Sequence, residues 1–201
     1  MKFNPFNLIS KALKRWIPKS KTQERTDFLK KIINFAHHCG VAGGGGDYLE
    51  FGVFKGSNFS EVYRIAKAKK LTDMRFFAFD SFEGLPEGSE KEFGQFAEGE
   101  YSASLERFNA NLQKSGVDLK DVQAVKGWFK DMLNAETKKR LGLKSAAIIW
   151  IDSDLYESAV PVLDFITDLV VDGTILVFDD WFFFKGNPNR GEQRAFREWL
   201  A

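Results

Sequence analysis

The chain has 201 residues, enough for one large domain with a substantial core. Its 29 Lys and Arg balance 28 Asp and Glu, which removes the electrostatic case for nucleic acid as a partner. A single cysteine, Cys39, excludes an internal disulfide. With no apolar run of roughly 18–20 residues to span a bilayer and no signal-like apolar N-terminal core, a cytoplasmic protein is expected.

Residues 1–22 are basic, with Phe6, Ile9, Leu13, Trp16 and Ile17 near helical spacing and Pro18 as a stop. Such a helix packs on its own domain or on a second copy, giving a homo-oligomer; docking on a membrane surface or a partner is the alternative. A second helix is predicted from about Arg25 to Cys39, with Phe28, Ile32, Ile33 and Phe35 as apolar positions and Gly40 as its end. His37 and His38 are adjacent, about 100° apart on a helix, and make poor joint metal ligands. Residues 1–40 are thus an N-terminal helical unit and 41–201 the main domain.

From Gly43 onward strand and helix signals alternate. YLEFGVF (48–54) reads as a strand, Ser57 to Lys69 as a helix, and RFFAFD (75–80) as the second strand. The polar loop 82–103 exceeds an ordinary connection and suggests a lid closed by Phe93 and Phe96, with a functionless loop as the alternative. A helix at 105–116, a strand at 122–127 and one helix over Phe129–Leu141 follow. AAIIWID (146–152), a helix at 159–170, TILVFDD (174–180) and a last helix from about Gly191 complete the chain. That rhythm predicts an α/β fold, doubly wound, with a mostly parallel sheet covered on both faces.

Asp152, Asp179 and Asp180 end the two most strand-like runs. If those strands are parallel neighbours, the three acids meet at the edge where open α/β sheets bind ligands, and they repel one another unless a cation lies among them. Successive strand residues face opposite ways, so Asp179 and Asp180 share an ion only where the strand ends and turns. Solvated acids at strand ends are the alternative. The first strand leads into Glu50-Phe-Gly52-Val-Phe-Lys-Gly56-Ser57, whose glycines admit a ligand and whose helix start offers free N–H groups. The spacing departs from the G-x-G-x-x-G of dinucleotide sites. Asp80, with Ser81, ends the second strand, where an acid accepts hydrogen bonds from a ribose diol or caps a turn. Trp128 and Phe129 follow the third strand, placed to stack on adenine or to fill core. After the fourth, Asp154 and Ser158 read as caps or site residues, and Tyr156 as a substrate contact. The FFFKGNPNR segment shapes an acceptor pocket through Phe182, with Lys185 and Arg190 either meeting a phosphate or merely solvated. Asp164 and Asp168 read as a solvated helix face.

YLEFGVFKGSN, FAFDSFEGLP, VKGWFKDML, IDSDLYES and VFDDW occur in the order and rough spacing of the macrocin O-methyltransferase (TylF/MycF-like) family. The resemblance runs from about Tyr48 to Trp181. It implies the class I (Rossmann-like) fold of S-adenosylmethionine-dependent methyltransferases and an Mg²⁺-dependent transfer to a sugar or glycoside hydroxyl. By the same resemblance Glu50, Gly52, Gly56 and Ser57 wrap the methionine end of the cofactor. Asp80 and Ser81 hold the ribose, Trp128 and Phe129 border the adenine, and Asp152, Asp179 and Asp180 bind Mg²⁺. Metal-dependent catechol-type methyltransferases have a lysine three residues after the first ligand, where this chain has Leu155. The proton then goes to Asp152 or Asp154, or to a hydroxide held by the metal. The fold normally finishes in an antiparallel hairpin, whereas this sequence stops at Glu198-Trp199-Leu200-Ala201, so either a shortened sheet or a truncated chain is expected. An NAD-type oxidoreductase on the same sheet and a non-catalytic docking module are the alternative functions.

Overall fold

The computed structural model of the protein describes residues 20–41, 46–86, 99 and 101–201. The basic helix expected within 1–22 lies outside the described residues apart from its last three positions, and Phe93 and Phe96 of the expected lid lie outside them as well. Helix α1 (Lys21–His38) is capped by Ser20, whose hydroxyl accepts the Gln23 N–H at 3.2 Å. Then come β1 (Asp47–Phe51), α2 (Ser57–Ala68), β2 (Phe76–Asp80), α3 (Leu105–Lys114), β3 (Val122–Lys126), α4 (Phe129–Met132) and α5 (Ala135–Leu141). The chain continues through β4 (Ala146–Ile151), α6 (Tyr156–Ile166), β5 (Ile175–Phe178) and α7 (Gly191–Trp199).

The five strands form one parallel sheet in the order β3-β2-β1-β4-β5. No antiparallel strand occurs among the described residues. Because the path leaves β1 toward β2 and later returns to β4 on the other side, the winding reverses between β1 and β4. A parallel sheet opens its ligand cleft at such a point, beyond the carboxyl ends of the strands.

Both faces of the sheet are covered, which explains why β4 reads as an unbroken apolar run rather than an alternating one, and why every residue of β1 is buried, Asp47 and Glu50 included. Tyr48, Phe76, Ile148 and Trp150 pack with α1, α2 and α3 on one face. Leu49, Phe51, Phe77, Phe79, Ile149 and Ile151 pack with α6 and α7 on the other. Much of the phenylalanine content is spent here; Phe51 and Phe79 stack at 4.7 Å between ring centres. At the entry edge of the sheet, Asp47 and Arg75 form a two-pronged ion pair at 2.8 and 2.7 Å, and Arg75 also donates to the Leu141 and Gly142 carbonyls.

Three element boundaries differ from the sequence reading. The single helix expected over Phe129–Leu141 is two, because Asn134 caps α5 by accepting the Thr137 N–H at 3.0 Å and the chain must leave the helical path to do so. The helix expected from 159 starts at Tyr156 and runs to Ile166. β5 ends at Phe178, two residues before the acidic pair is complete. No helix among the described residues is long and apolar enough to cross a membrane.

Candidate functional site

A cavity of about 460 Å³ opens at the carboxyl edge of the sheet, across the point where the winding reverses. Gly52, Asp80, Trp128, Phe129, Asp152, Asp154, Asp179 and Asp180 all line it, so the strand-end residues singled out by sequence do converge.

The turn after β1 forms one wall, at Gly52 and Phe54. Gly52 has φ +85°, and a Cβ there would lie 1.9 Å from the carbonyl oxygen of Asp152. No side chain fits, because the ends of β1 and β4 are zipped together there by the Asp152 N–H donating to the Phe51 carbonyl at 2.9 Å. Asp80 holds the following turn: its Oδ2 accepts the N–H groups of Val53 and Phe54 at 2.8 and 3.0 Å, and its Oδ1 accepts Phe82 N–H at 2.7 Å. Three backbone bonds leave about one of a carboxylate's roughly four acceptor positions for a ligand. Ser81 is committed to the turn beyond, donating to the Gly84 carbonyl and accepting Glu83 N–H.

Glu50 lies beneath the cavity rather than on its wall. Its carboxylate is 2% exposed, accepts from the Tyr48 hydroxyl and, at 3.1 Å, from Asn58 Nδ2. Burial pushes its pKa from the ordinary 4.5 up to about 8, with the Arg25 charge pulling the other way. Gly56 starts α2 at φ +79°, packed on Phe108 and Leu112, and Ser57 is exposed; neither lines the cavity. Trp128 and Phe129 stand on the opposite wall, with Phe129 also edge-on to Phe51 at 6.0 Å.

The acids gather where β4 and β5 end. Asp152, Asp154 and Asp180 each place a carboxylate oxygen within 4.8 Å of the others. Asp154, rather than the expected Asp179, is the third member of this close group, while Asp179 stands on the same cavity wall. Asp154 turns back toward the sheet at φ +54°. Asp179 is still held in the ladder by its N–H donating to the Ile151 carbonyl at 2.9 Å, so its side chain faces away from the one that follows it. It lines the cavity from an exposed position. Burial raises the pKa of Asp152 to about 10 and of Asp154 to about 7, and the Asp180 and Asp179 charges add to both shifts. Asp180 is also raised, and its Oδ2 is buried without a hydrogen-bond partner. Three hard oxygen donors that repel one another and leave one oxygen orphaned suit a small divalent cation.

The two residues expected at the substrate do not line the cavity. Tyr156 is turned from the cavity: its hydroxyl donates to Glu198 Oε2 at 2.5 Å and Arg194 stacks on its ring at 3.9 Å. The next two residues, Glu157 and Ser158, line the cavity instead, and Ser158 is no cap because the helix starts at Tyr156, with Leu155 in the capping position and no side-chain bond there. Phe182 points to solvent at 77% exposure while Phe183 lines the wall. Asp168 is not merely solvated, since it pairs with Lys138.

Sequence reasoning missed Phe54, Tyr101 and Glu192. Glu192, on the first turn of α7, is 1% exposed and lies behind the acid cluster, its pKa raised to about 9 by burial and by the Asp180 charge. An acid in the first turn of a helix reads as an exposed partner of the helix dipole, and no periodicity marks it as buried.

Residues 20–198 match the sequence profile of the Macrocin-O-methyltransferase (TylF) family. The 8-demethyl-8-(2,3-dimethoxy-alpha-L-rhamnosyl)-tetracenomycin-C 4'-O-methyltransferase of Streptomyces olivaceus is 31% identical over 165 residues, covering 79% of this chain and 60% of that protein. The mycinamicin III 3''-O-methyltransferase of Micromonospora griseorubida is 27% identical over 164 residues, 75% of this chain and 63% of that one. The chain thus spans about three fifths of the length of these relatives. Among solved structures, the O-methyltransferase NovP superposes with a TM-score of 0.70 at 22% identity, over 88% of this chain and 71% of that chain. The calicheamicin methyltransferase CalS11 gives 0.65 at 18%, over 92% and 87%. The fold is that of the class I methyltransferases.

Proposed function

The chain belongs to the macrocin-O-methyltransferase family, and from that premise we propose that it transfers a methyl group from S-adenosylmethionine to a hydroxyl of a sugar or glycoside, assisted by Mg²⁺. The observation that carries this reading is the meeting of Asp152, Asp154 and Asp180 within 4.8 Å in a cavity that Gly52, Asp80 and Trp128 also line. The orphaned Asp180 Oδ2 supports a cation there. The relatives named for sugar positions on tetracenomycin and mycinamicin support a glycoside acceptor, with a vicinal diol as the group that a metal-assisted site recognises.

Asp152, Asp154 and Asp180 would hold Mg²⁺, which when bound would favour the ionised form of an acceptor hydroxyl, and S-adenosylmethionine in the same cavity would supply the methyl group. The rest falls to the protein. Gly52 keeps the wall low enough for the cofactor's methionine end, and a cationic amine there would draw the buried Glu50 beneath it from its neutral to its ionised form. Asp80 offers its remaining acceptor position to the ribose, while Trp128 and Phe129 flank the adenine. A carboxylate oxygen of Asp152 or Asp154 would accept the hydroxyl proton as the new carbon–oxygen bond forms and the methyl carbon–sulfur bond breaks, its electron pair staying on the sulfur of S-adenosylhomocysteine. Asp179 adds negative field at the same point. Phe54, Tyr101 and Phe183 narrow the mouth, which limits water and aligns the reacting atoms. A NAD-type hydride transfer has no use for the acid cluster and is set aside.

The test is incubation with S-adenosylmethionine and a panel of rhamnosides and nucleotide-linked deoxysugars, followed by mass spectrometry. The proposal expects S-adenosylhomocysteine and a methylated glycoside, both suppressed by EDTA. Turnover that EDTA leaves intact, or none with any sugar despite cofactor binding, contradicts it.

A further inference from the structure

We propose that Glu192 is a positioning residue that sets the spacing of the cation-binding carboxylates; this rests on the metal-assisted reading above. The β4–β5 ladder pairs Ile151 with Phe178 and makes its last backbone bond from Asp179 N–H to the Ile151 carbonyl. Past that bond the two chains turn apart, yet Asp152 and Asp154 on one side must stay within reach of Asp180 on the other. Glu192 bridges the gap from behind. Its Oε1 accepts the N–H and the hydroxyl of Ser153, each at 3.4 Å, and its Oε2 accepts the N–H of Asp180 at 3.2 Å. Ser153 lies between two of the cluster's acids and Asp180 is the third, so one carboxylate ties all three to a single rigid group.

The helix that carries it is anchored independently. Ala195 and Phe196 of α7 belong to the core cluster on that face of the sheet. At its start a Cβ on Gly191 would meet the Phe184 ring at 2.6 Å and the Asp154 carbonyl at 3.5 Å, so the helix end is pressed onto the 152–154 turn. An ionised carboxylate suits this position because all three partners donate, and a cation among the three acids would offset the burial and the Asp180 charge that favour its protonated form. A glutamine has one acceptor oxygen, and its NH₂ would face either Ser153 or the Asp180 N–H, turning a bond into a repulsion. The residue therefore acts on the ion through the backbone of its ligands, without itself reaching the cluster.

The experiment is Mn²⁺ titration followed by electron paramagnetic resonance on wild type, E192Q and E192A, with S-adenosylhomocysteine affinity and thermal melts on the same samples. Outer groups that orient metal ligands typically contribute about 10–100-fold in metal affinity. The expected result is Mn²⁺ binding weakened by that factor in E192A and by about 10-fold in the nearly isosteric E192Q, with cofactor affinity unchanged in both. Should E192A fail to fold, E192Q carries the test. Lowered melting temperatures with wild-type Mn²⁺ affinity would reduce Glu192 to a packing role and overturn the inference while leaving the proposed function intact. A wild type that binds no Mn²⁺ would remove both.

Discussion

Replacing Glu50 with glutamine separates what the fold tolerates from what the site needs. The glutamate is 2% exposed, and burial raises its pKa from 4.5 to about 8. Its folded pKa lies above its unfolded one, so the folded state holds the proton more tightly and stability falls as pH rises between the two values. At about 1.36 kcal/mol per pH unit, a change from pH 5 to pH 8 removes on the order of 3 kcal/mol through this group alone. Glutamine keeps an acceptor for Tyr48 and Asn58 but has no proton to lose. Urea unfolding of wild type and E50Q at pH 5, 6, 7 and 8, in EDTA, follows the effect, with the Glu50 charge on Asp152 the smallest of the causes that raise that neighbour. The two should be nearly equal at pH 5, with E50Q the more stable at pH 8 by that margin and with weaker cofactor binding. A stability difference that does not change with pH would refute the reasoning.

Other substitutions probe the cavity wall by wall. Asp180→Asn is expected to keep S-adenosylhomocysteine binding by calorimetry yet abolish turnover and Mn²⁺ binding; full activity would remove the metal from the mechanism. Gly52→Ala forces a Cβ to within 1.9 Å of the Asp152 carbonyl and demands φ +85° of an alanine. Its backbone strain alone costs about 1–3 kcal/mol, so lowered unfolding stability and lost cofactor binding are expected, and wild-type values for both would contradict the geometry. Asp80→Ala strands the N–H groups of Val53, Phe54 and Phe82. A loss of about 1–3 kcal/mol in stability, with cofactor affinity falling alongside, is the expected outcome, and unaltered affinity would deny Asp80 its place at the ribose.

The sheet was legible because its central strands are buried, which writes β2 and β4 and most of β1 as apolar runs, and β5 carries the same signal in Ile175–Phe178. Strand ends then gave the right neighbourhood for Asp80, Asp152 and Asp180. What sequence could not supply was direction. Whether Asp154 or Asp179 joins the cluster depends on a positive φ at Asp154 and on one more ladder bond at Asp179, neither visible in residue type. Tyr156 and Phe182 lie off the cavity wall for the same reason: among consecutive residues, backbone phase selects those that face the cavity, here Glu157, Ser158 and Phe183. The break at Asn134 was missed because its neighbours kept a helical pattern while a local cap dictated a new start. Glu192 lies 39 residues from the serine it holds, and only the packing of α7 on the sheet brings them together.

The most direct measurement is a crystal structure with S-adenosylhomocysteine and Mn²⁺, using anomalous scattering to locate the ion. The account predicts a peak among the carboxylates of Asp152, Asp154 and Asp180, with the adenosine lying between Asp80 and Trp128. A fully bound cofactor with no anomalous peak at those three acids would contradict it.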